Sequence, residues 1–213
     1  NFAGPHDPFD VTGAMWSDWA ERPVPAPVGR VGDGSDQWEL KRRGYGADIE
    51  NIDRLAGRII EAVVARGEAE RTLIVYASDH GEMLGDHDAW GKRRWHAPSV
   101  GVPLVVRGPG VGGRGDSTAL VELHDLAATF LDYAGAEPLP DSDALSLRPL
   151  LNGEARDHRP VARSAFGAWE MLYDGRHKLV DEGAGHPAQL FDTRTDPHEL
   201  RDVSQEHPDV VHG

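Results

Sequence analysis

Cysteine is absent from all 213 residues. That absence excludes a disulfide scaffold, a zinc ribbon and a cysteine nucleophile within this chain. Basic residues are scarce beside acidic ones: 22 Lys and Arg stand against 36 Asp and Glu, for a formal charge of −14. A chain this acidic repels phosphate backbones unless a basic patch is locally concentrated, and Lys92-Arg93-Arg94 is a short dense basic cluster of three residues. No nucleic-acid partner is therefore expected. No apolar run approaches the roughly 18 residues a membrane span needs, and no charged-then-apolar leader precedes residue 1, so neither a membrane partner nor a targeting signal is expected. The chain also lacks an initiator Met, opening on Asn1-Phe2-Ala3-Gly4-Pro5-His6 without a polar run-in. We read this as the sign of a piece of a larger protein.

The hydrophobic fraction of 39%, with six Trp, is enough for a core, and 213 residues fit one sizeable domain or a domain with a small appendage. Residues 1–36 are rich in Pro, Gly, Asp and Trp without a sustained period, which predicts an ordered loop or lid instead of a helix. Pro23, Pro25 and Pro27 predict an extended, stiff surface passage. From Trp38 to Ala65, Tyr45, Ile49, Ile52, Leu55, Ile59 and Val63 recur at helical steps, and Gly67 closes a long amphipathic helix or helix pair over 38–66. Leu73–Ala77 and Val102–Val106 are short unbroken apolar runs, the pattern of strands buried on both faces. Leu123–Ala134 predicts another helix, capped by Gly135. After Asn152-Gly153, Met171-Leu172-Tyr173 and His177–Val180 flank Asp174-Gly175 as a β-hairpin, and Gln189–Asp192 adds a strand. The fold class is thus α/β, with a small antiparallel sheet at its C-terminal end.

Open α/β sheets bind ligands beyond the carboxyl ends of their strands, where Asp79 and His80 stand. A carboxylate and an imidazole converging there suit a divalent cation. The plainer alternative is that Asp79 caps the following turn and His80 is a satisfied buried histidine. Lys92, between Trp90 and Trp95, could grip an anionic oxygen as a compact point charge, or be a solvated surface lysine. His6, in Pro5-His6-Asp7-Pro8, is either a loop histidine or a general acid preorganised on a stiff loop. Gly108–Gly113 matches GxGxxG but contains Pro109 and lacks a following helix start, so a dinucleotide site is rejected. Asp141-Ser142-Asp143 lacks the Gly and distal Glu of an EF-hand loop, and His198-Glu199 lacks the second His of a zincin helix.

Taken in order, Thr72–Glu82, Leu84-Gly85-Asp86-His87, Gly91-Lys92, Val102–Gly110, Asp125–Asp132, Ser146–Leu151, Leu190-Phe191-Asp192 and Asp196-Pro197-His198-Glu199 resemble the sulfatase family of the alkaline phosphatase superfamily. The resemblance covers nearly the whole chain and matches the C-terminal part of such an enzyme. It implies a partial alkaline-phosphatase-like α/β/α sandwich over 1–153, with 72–153 carrying the metal-turn strand and the elements after it, and a small C-terminal subdomain over 154–213. It makes Asp79 and His80 ligands of a divalent cation, calcium as usual in the family. Lys92 would contact the sulfate and the leaving oxygen, and His6 would protonate or hydrogen-bond the leaving group. The Asp-His pair is closer to choline-sulfatase-like, iduronate-sulfatase-like and phosphonate monoester hydrolase-like members than to those carrying Asp-Asn.

Family members attack with a formylglycine made from the Cys or Ser of a C/S-x-P-x-R motif, which this sequence does not contain. The paired acidic ligands of the family's first strand also have no equivalent here. The resemblance therefore implies a sulfuric-ester hydrolase given as its latter portion and inactive by itself, with a small-molecule sulfate ester as substrate. Two alternatives stand beside it: hydrolysis of phosphonate monoesters or phosphodiesters on the same fold, and a non-catalytic remnant that binds an anion or a partner.

Overall fold

Helix periodicity is strongest over 38–66, and the structure, a computed structural model describing residues 2–32, 37–112 and 115–212, places a single helix there. Two compact units emerge, one comprising Asn1–Glu70 and Gly81–Lys92, the other Arg71–His80 and Arg93–Gly213. The first unit holds helix α1 (Gly13–Trp19) and the 28-residue helix α2 (Trp38–Ala65). Helix α2 stops where Gly67 takes a left-handed φ of 68°, with the Gly67 and Glu68 amides donating back to Val64 and Val63.

Helix α1 corrects the expectation that residues 1–36 are free of helix. Seven residues are too few to show a helical period, so its signal is local: the Thr12 hydroxyl accepts from the Met15 amide at 3.3 Å and caps the first turn. The helix is kept by packing. Mid-helix glycines ordinarily weaken a helix by about 0.5–1 kcal/mol, yet α2 carries Gly44 and Gly46 where other groups come close. A Cβ at Gly44 would stand 3.0 Å from the Phe9 carbonyl oxygen, and one at Gly46 would strike the Trp19 ring. Trp19 then donates through Nε1 to Glu50 at 2.5 Å. The proline passage has no regular element and is largely exposed, as expected; residues 33–36 lie outside the described residues.

Five short or medium elements open the second unit: β1 (Ile74–Ala77), α3 (Ala97–Val100), β2 (Leu104–Arg107), α4 (Asp125–Ala134) and α5 (Arg148–Leu151). Strands β1 and β2 pair antiparallel, Ile74 opposite Arg107 and Ala77 opposite Leu104. Tyr76 is 40% exposed and Val105 62% exposed, so burial on both faces does not hold for either strand in this chain. The cause is width: among the described residues this sheet has two strands, and its outward-pointing side chains meet nothing that covers them. Gly108, which ends β2, lies against Thr72 and Leu73, where any side chain would collide with backbone. The glycine run reaches its end at Gly113, which lies outside the described residues, as does Arg114.

The C-terminal sheet is a four-stranded antiparallel meander of β3 (Ala162–Phe166), β4 (Trp169–Tyr173), β5 (His177–Asp181) and β6 (Gln189–Asp192), followed by the short helix α6 (Pro208–His212). The expected Asp-Gly hairpin joins β4 to β5: Gly175 takes φ 94°, and the Asp174 carboxylate accepts from the Arg176 and His177 amides at 2.8 and 2.6 Å. Its buried face carries Met171, Val180 and Phe191, packed with Trp95. Strand β3 went unread because Ala162-Arg163-Ser164-Ala165-Phe166 offers one large apolar residue; its register against β4 supplies what its side chains do not.

A second buried centre lies beneath α4. Asp125 is fully buried, and its carboxylate accepts from the Leu145 and Glu122 amides at 2.9 Å each and pairs with Arg159, with the His158 imidazole 3.1 Å away. Burial alone pushes this acid up, but the two amides and the Arg159 guanidinium outweigh it and hold its pKa below the ordinary 3.8. A depressed folded value means stability fully present above the unfolded value and lost as pH falls through the folded one. Replacing Asp125 by Ala leaves the part-buried Leu145 and Glu122 amides without their acceptor and Arg159 with Glu122 as its remaining carboxylate at 3.4 Å, and we expect a loss of about 1–3 kcal/mol in urea unfolding at neutral pH. The difference between wild type and variant should shrink when the melts are repeated below about pH 4.

Candidate active site

The four residues singled out from sequence fall in both units: His6 and Lys92 in the first, Asp79 and His80 in the second.

Asp79 and His80 follow β1 directly, where the backbone bends out of the strand. The Ser78 hydroxyl donates to the His80 carbonyl at 2.6 Å and tightens that bend. It brings both side chains to the same side: His80 Nε2 lies 3.8 Å from Asp79 Oδ2. The Asp79 side chain is 89% exposed, whereas His80 is half-buried. A hard carboxylate beside an imidazole fits part of a divalent-cation site. Two side chains do not complete one, since calcium takes roughly six to eight oxygen ligands. Among the described residues no group of three or more His, Asp or Glu stands ready to hold a metal.

Lys92 ends a loop that is built with care. The Gly91 and Leu84 amides donate to Glu82 Oε1 at 2.5 and 3.2 Å, the Met83 amide donates to the Gly91 carbonyl at 2.9 Å, and Met83 is fully buried beneath. Arg42 of α2 grips the same loop from outside, donating to the Leu84 carbonyl, the Pro25 carbonyl and Asp86 Oδ1 at 2.9, 2.8 and 2.6 Å. Trp90 receives the Lys41 ammonium 4.1 Å over its ring and faces Phe9. Lys92 itself is exposed. Glu82, three residues after Asp79, was not singled out from sequence, because an acid in a loop shows its role only once the amides it serves are known.

His6 is exposed and its Nδ1 lies 2.7 Å from the Asp7 carbonyl, which orients the ring. Both neighbouring prolyl bonds, Gly4–Pro5 and Asp7–Pro8, are cis. The histidine borders an open depression of about 380 Å³ with Ala3, Gly4, Asp7, Asp10 and Asp48. Its surroundings are acidic, and Asp48 shows the effect: burial first, then the Asp10 charge, push its carboxyl above the usual 3.8.

Family comparison decides what these pieces belong to. The Sulfatase family model matches residues 2–136, and a model of the N-sulphoglucosamine sulphohydrolase C-terminal region matches residues 85–211. The chain belongs to the sulfatase family. Among its relatives, choline-sulfatase of Rhizobium meliloti is 34% identical, over 77% of this chain and 33% of that protein. Arylsulfatase K of Mus musculus is 33% identical, over 80% of this chain and 34% of that protein. The crystal structure of a phosphonate monoester hydrolase from Agrobacterium radiobacter superposes with a TM-score of 0.86 at 27% identity, over 100% of this chain and 53% of that one. This sulfatase sequence thus spans about a third of the length of these two curated relatives and about half of the solved one. The alkaline-phosphatase-like α/β class, with its small antiparallel sheet, agrees with the expectation from sequence.

The raised Asp48 pKa gives a test of the depression beside His6. A carboxyl whose folded pKa lies above its unfolded one adds stability only while protonated, and that contribution is lost as pH rises through the folded value. Exchanging Asp48 for Asn should therefore raise the melting temperature at neutral pH. The gain should fade as the buffer approaches the ordinary value of 3.8; a gain of equal size at all pH values would argue against the burial effect.

Proposed function

We propose that the protein containing these residues is a metal-dependent hydrolase of a small-molecule sulfate ester. The observation that carries this reading is family membership across the chain, with the ordered motifs from Thr72 to Glu199 falling inside the two matched regions. In this reading residues 1–153 are the latter part of the catalytic α/β domain and 154–213 the small C-terminal subdomain. Asp79 and His80 supply two ligands of a divalent cation, with calcium the expected ion. The remaining ligands and the formylglycine nucleophile come from the part of the protein not included in this chain.

The bound cation would neutralise charge on the sulfate oxygens. The chain's own residues would do the rest. Lys92, on the loop fixed by Glu82 and Arg42, would set its ammonium against a sulfate oxygen and the leaving oxygen, where negative charge develops only in the transition state. His6 would donate a proton or a hydrogen bond to the departing alkoxide, its ring oriented by the Asp7 carbonyl.

A second reading, hydrolysis of phosphonate monoesters or phosphodiesters, is favoured by the 27% identical phosphonate monoester hydrolase that superposes over the whole chain. Kinetics of the full-length protein on an aryl sulfate and an aryl phosphonate side by side separate the two.

In the full-length protein, Lys92→Ala should lower kcat on the preferred ester by about 10²–10³-fold. A loss of thermal stability with unchanged turnover would return Lys92 to the role of a surface charge. The 213-residue chain, purified alone and assayed on an aryl sulfate with calcium, should show no turnover. Metal-dependent hydrolysis by it would overturn the assignment of nucleophile and ligands to the rest of the protein.

A further inference from the structure

A lysine on the core face of a strand calls for an explanation. Residues 178 and 180 of β5 share one face, and that face packs against Trp95, Met171 and Phe191. Val180 fits there; Lys178, 4% exposed, does not by hydrophobicity. Its ammonium pairs with Glu199, 3% exposed, and donates to the Trp95 carbonyl at 3.2 Å. The other Glu199 oxygen accepts from the Ala97 amide at 2.8 Å. The buried pair thus holds the backbone on both sides of His96.

The backbone at Glu199 is itself unusual. It sits at φ 56°, a left-handed conformation uncommon for a residue with a side chain. The Asp196 carboxylate keeps it there by accepting from the Leu200 and Arg201 amides at 2.7 and 2.8 Å. Strain maintained by surrounding bonds points to a positional role. Two further bonds reach the same stretch: Trp169 Nε1 donates to the Arg93 carbonyl at 3.0 Å, and Trp95 Nε1 donates to Glu182 at 3.2 Å. Four attachments from the meander and the turn after it therefore converge on Arg93–Ala97. An apolar pair in place of Lys178 and Glu199 would serve stability as well or better, since desolvating two charges offsets most of their attraction. It would not fix the backbone.

We propose that Lys178 and Glu199 are positioning residues for Lys92: they clamp the segment that begins one peptide bond after it, so that the lysine stem leaves from a fixed backbone. This rests on the sulfatase reading of Lys92 and extends it, giving the C-terminal subdomain a part in the reaction. An ammonium displaced by about 1 Å loses up to about 10²-fold in rate.

The test is a double-mutant cycle in the full-length protein with an aryl sulfate. The paired exchange Lys178→Met/Glu199→Leu removes the clamp without leaving a lone buried charge, and we expect kcat to fall by about 10–10²-fold with little change in KM. Placed on a Lys92→Ala background, the same exchange should cost almost nothing further. Lys178→Met/Glu199→Gln, which keeps an acceptor for the Ala97 amide, should recover part of the rate. Amide exchange over residues 93–97 should quicken in the Met/Leu protein while β4 and β5 keep their protection. Losses that multiply with Lys92→Ala, or an unchanged exchange rate over 93–97, overturn the clamp and leave the sulfatase reading intact. Full activity of Lys92→Ala overturns that reading of Lys92 and the clamp's function with it. If the paired variants do not fold, Lys178→Arg alone decides by the same cycle, since it keeps the charge and shifts its geometry.

Discussion

Backbone amides in long connections need acceptors that no ladder provides, and in this chain carboxylates are those acceptors. Glu82 takes the Gly91 and Leu84 amides, Asp88 takes Val31 and Gly32, Asp86 takes Val28, Asp125 takes Leu145 and Glu122, Asp202 takes Leu190 and Ser204. Each of these acids closes a loop that would otherwise leave donors unmatched. The acid excess therefore has a use inside the molecule. Several of the acids are held below the ordinary carboxylate range: Asp174 and Asp202, where amide donors outweigh burial, and Asp192, where the Arg176 guanidinium is the largest cause.

Two buried charged centres then specify geometry where apolar packing alone would leave freedom. Asp125 ties the start of α4 to Arg159 and to the chain entering α5. Lys178 and Glu199 tie the meander to Trp95 and Ala97. Buried ion pairs contribute little net stability, and their value lies in permitting one arrangement and penalising others. In the second centre the Lys178 ammonium and both Glu199 oxygens have partners, the condition under which buried polar groups rigidify a fold.

Elements with a strong period were readable from sequence, and those fixed by neighbours were not. Helix α2 shows its face over 28 residues, α4 ends at a glycine with φ 64°, and the β4–β5 hairpin turns on Asp-Gly. Helix α1 and strand β3 are too short or too plain to carry a pattern, and depend on Gly46 and on β4 respectively. Among the candidate site residues, Asp79 and His80 stand out in the sequence because a strand end marks them, and Lys92 because two tryptophans bracket it. Glu82, Lys178 and Glu199 were not, because their meaning lies in which amide or carbonyl each one meets. The partner of Lys178 is 21 residues away and its second contact 83, separations that no local motif encodes.

The β1–β2 ribbon has a bearing on how this polypeptide behaves in solution. Its two strands have only each other as strand partners among the described residues, and each presents an outer edge of Ile, Val and Leu backbone with Val105 standing outward. Such an edge is a template on which another copy can add a strand. The countermeasure is long-range: at a net charge of −14, copies repel before their edges meet. Added salt shortens the reach of that repulsion without weakening the edge.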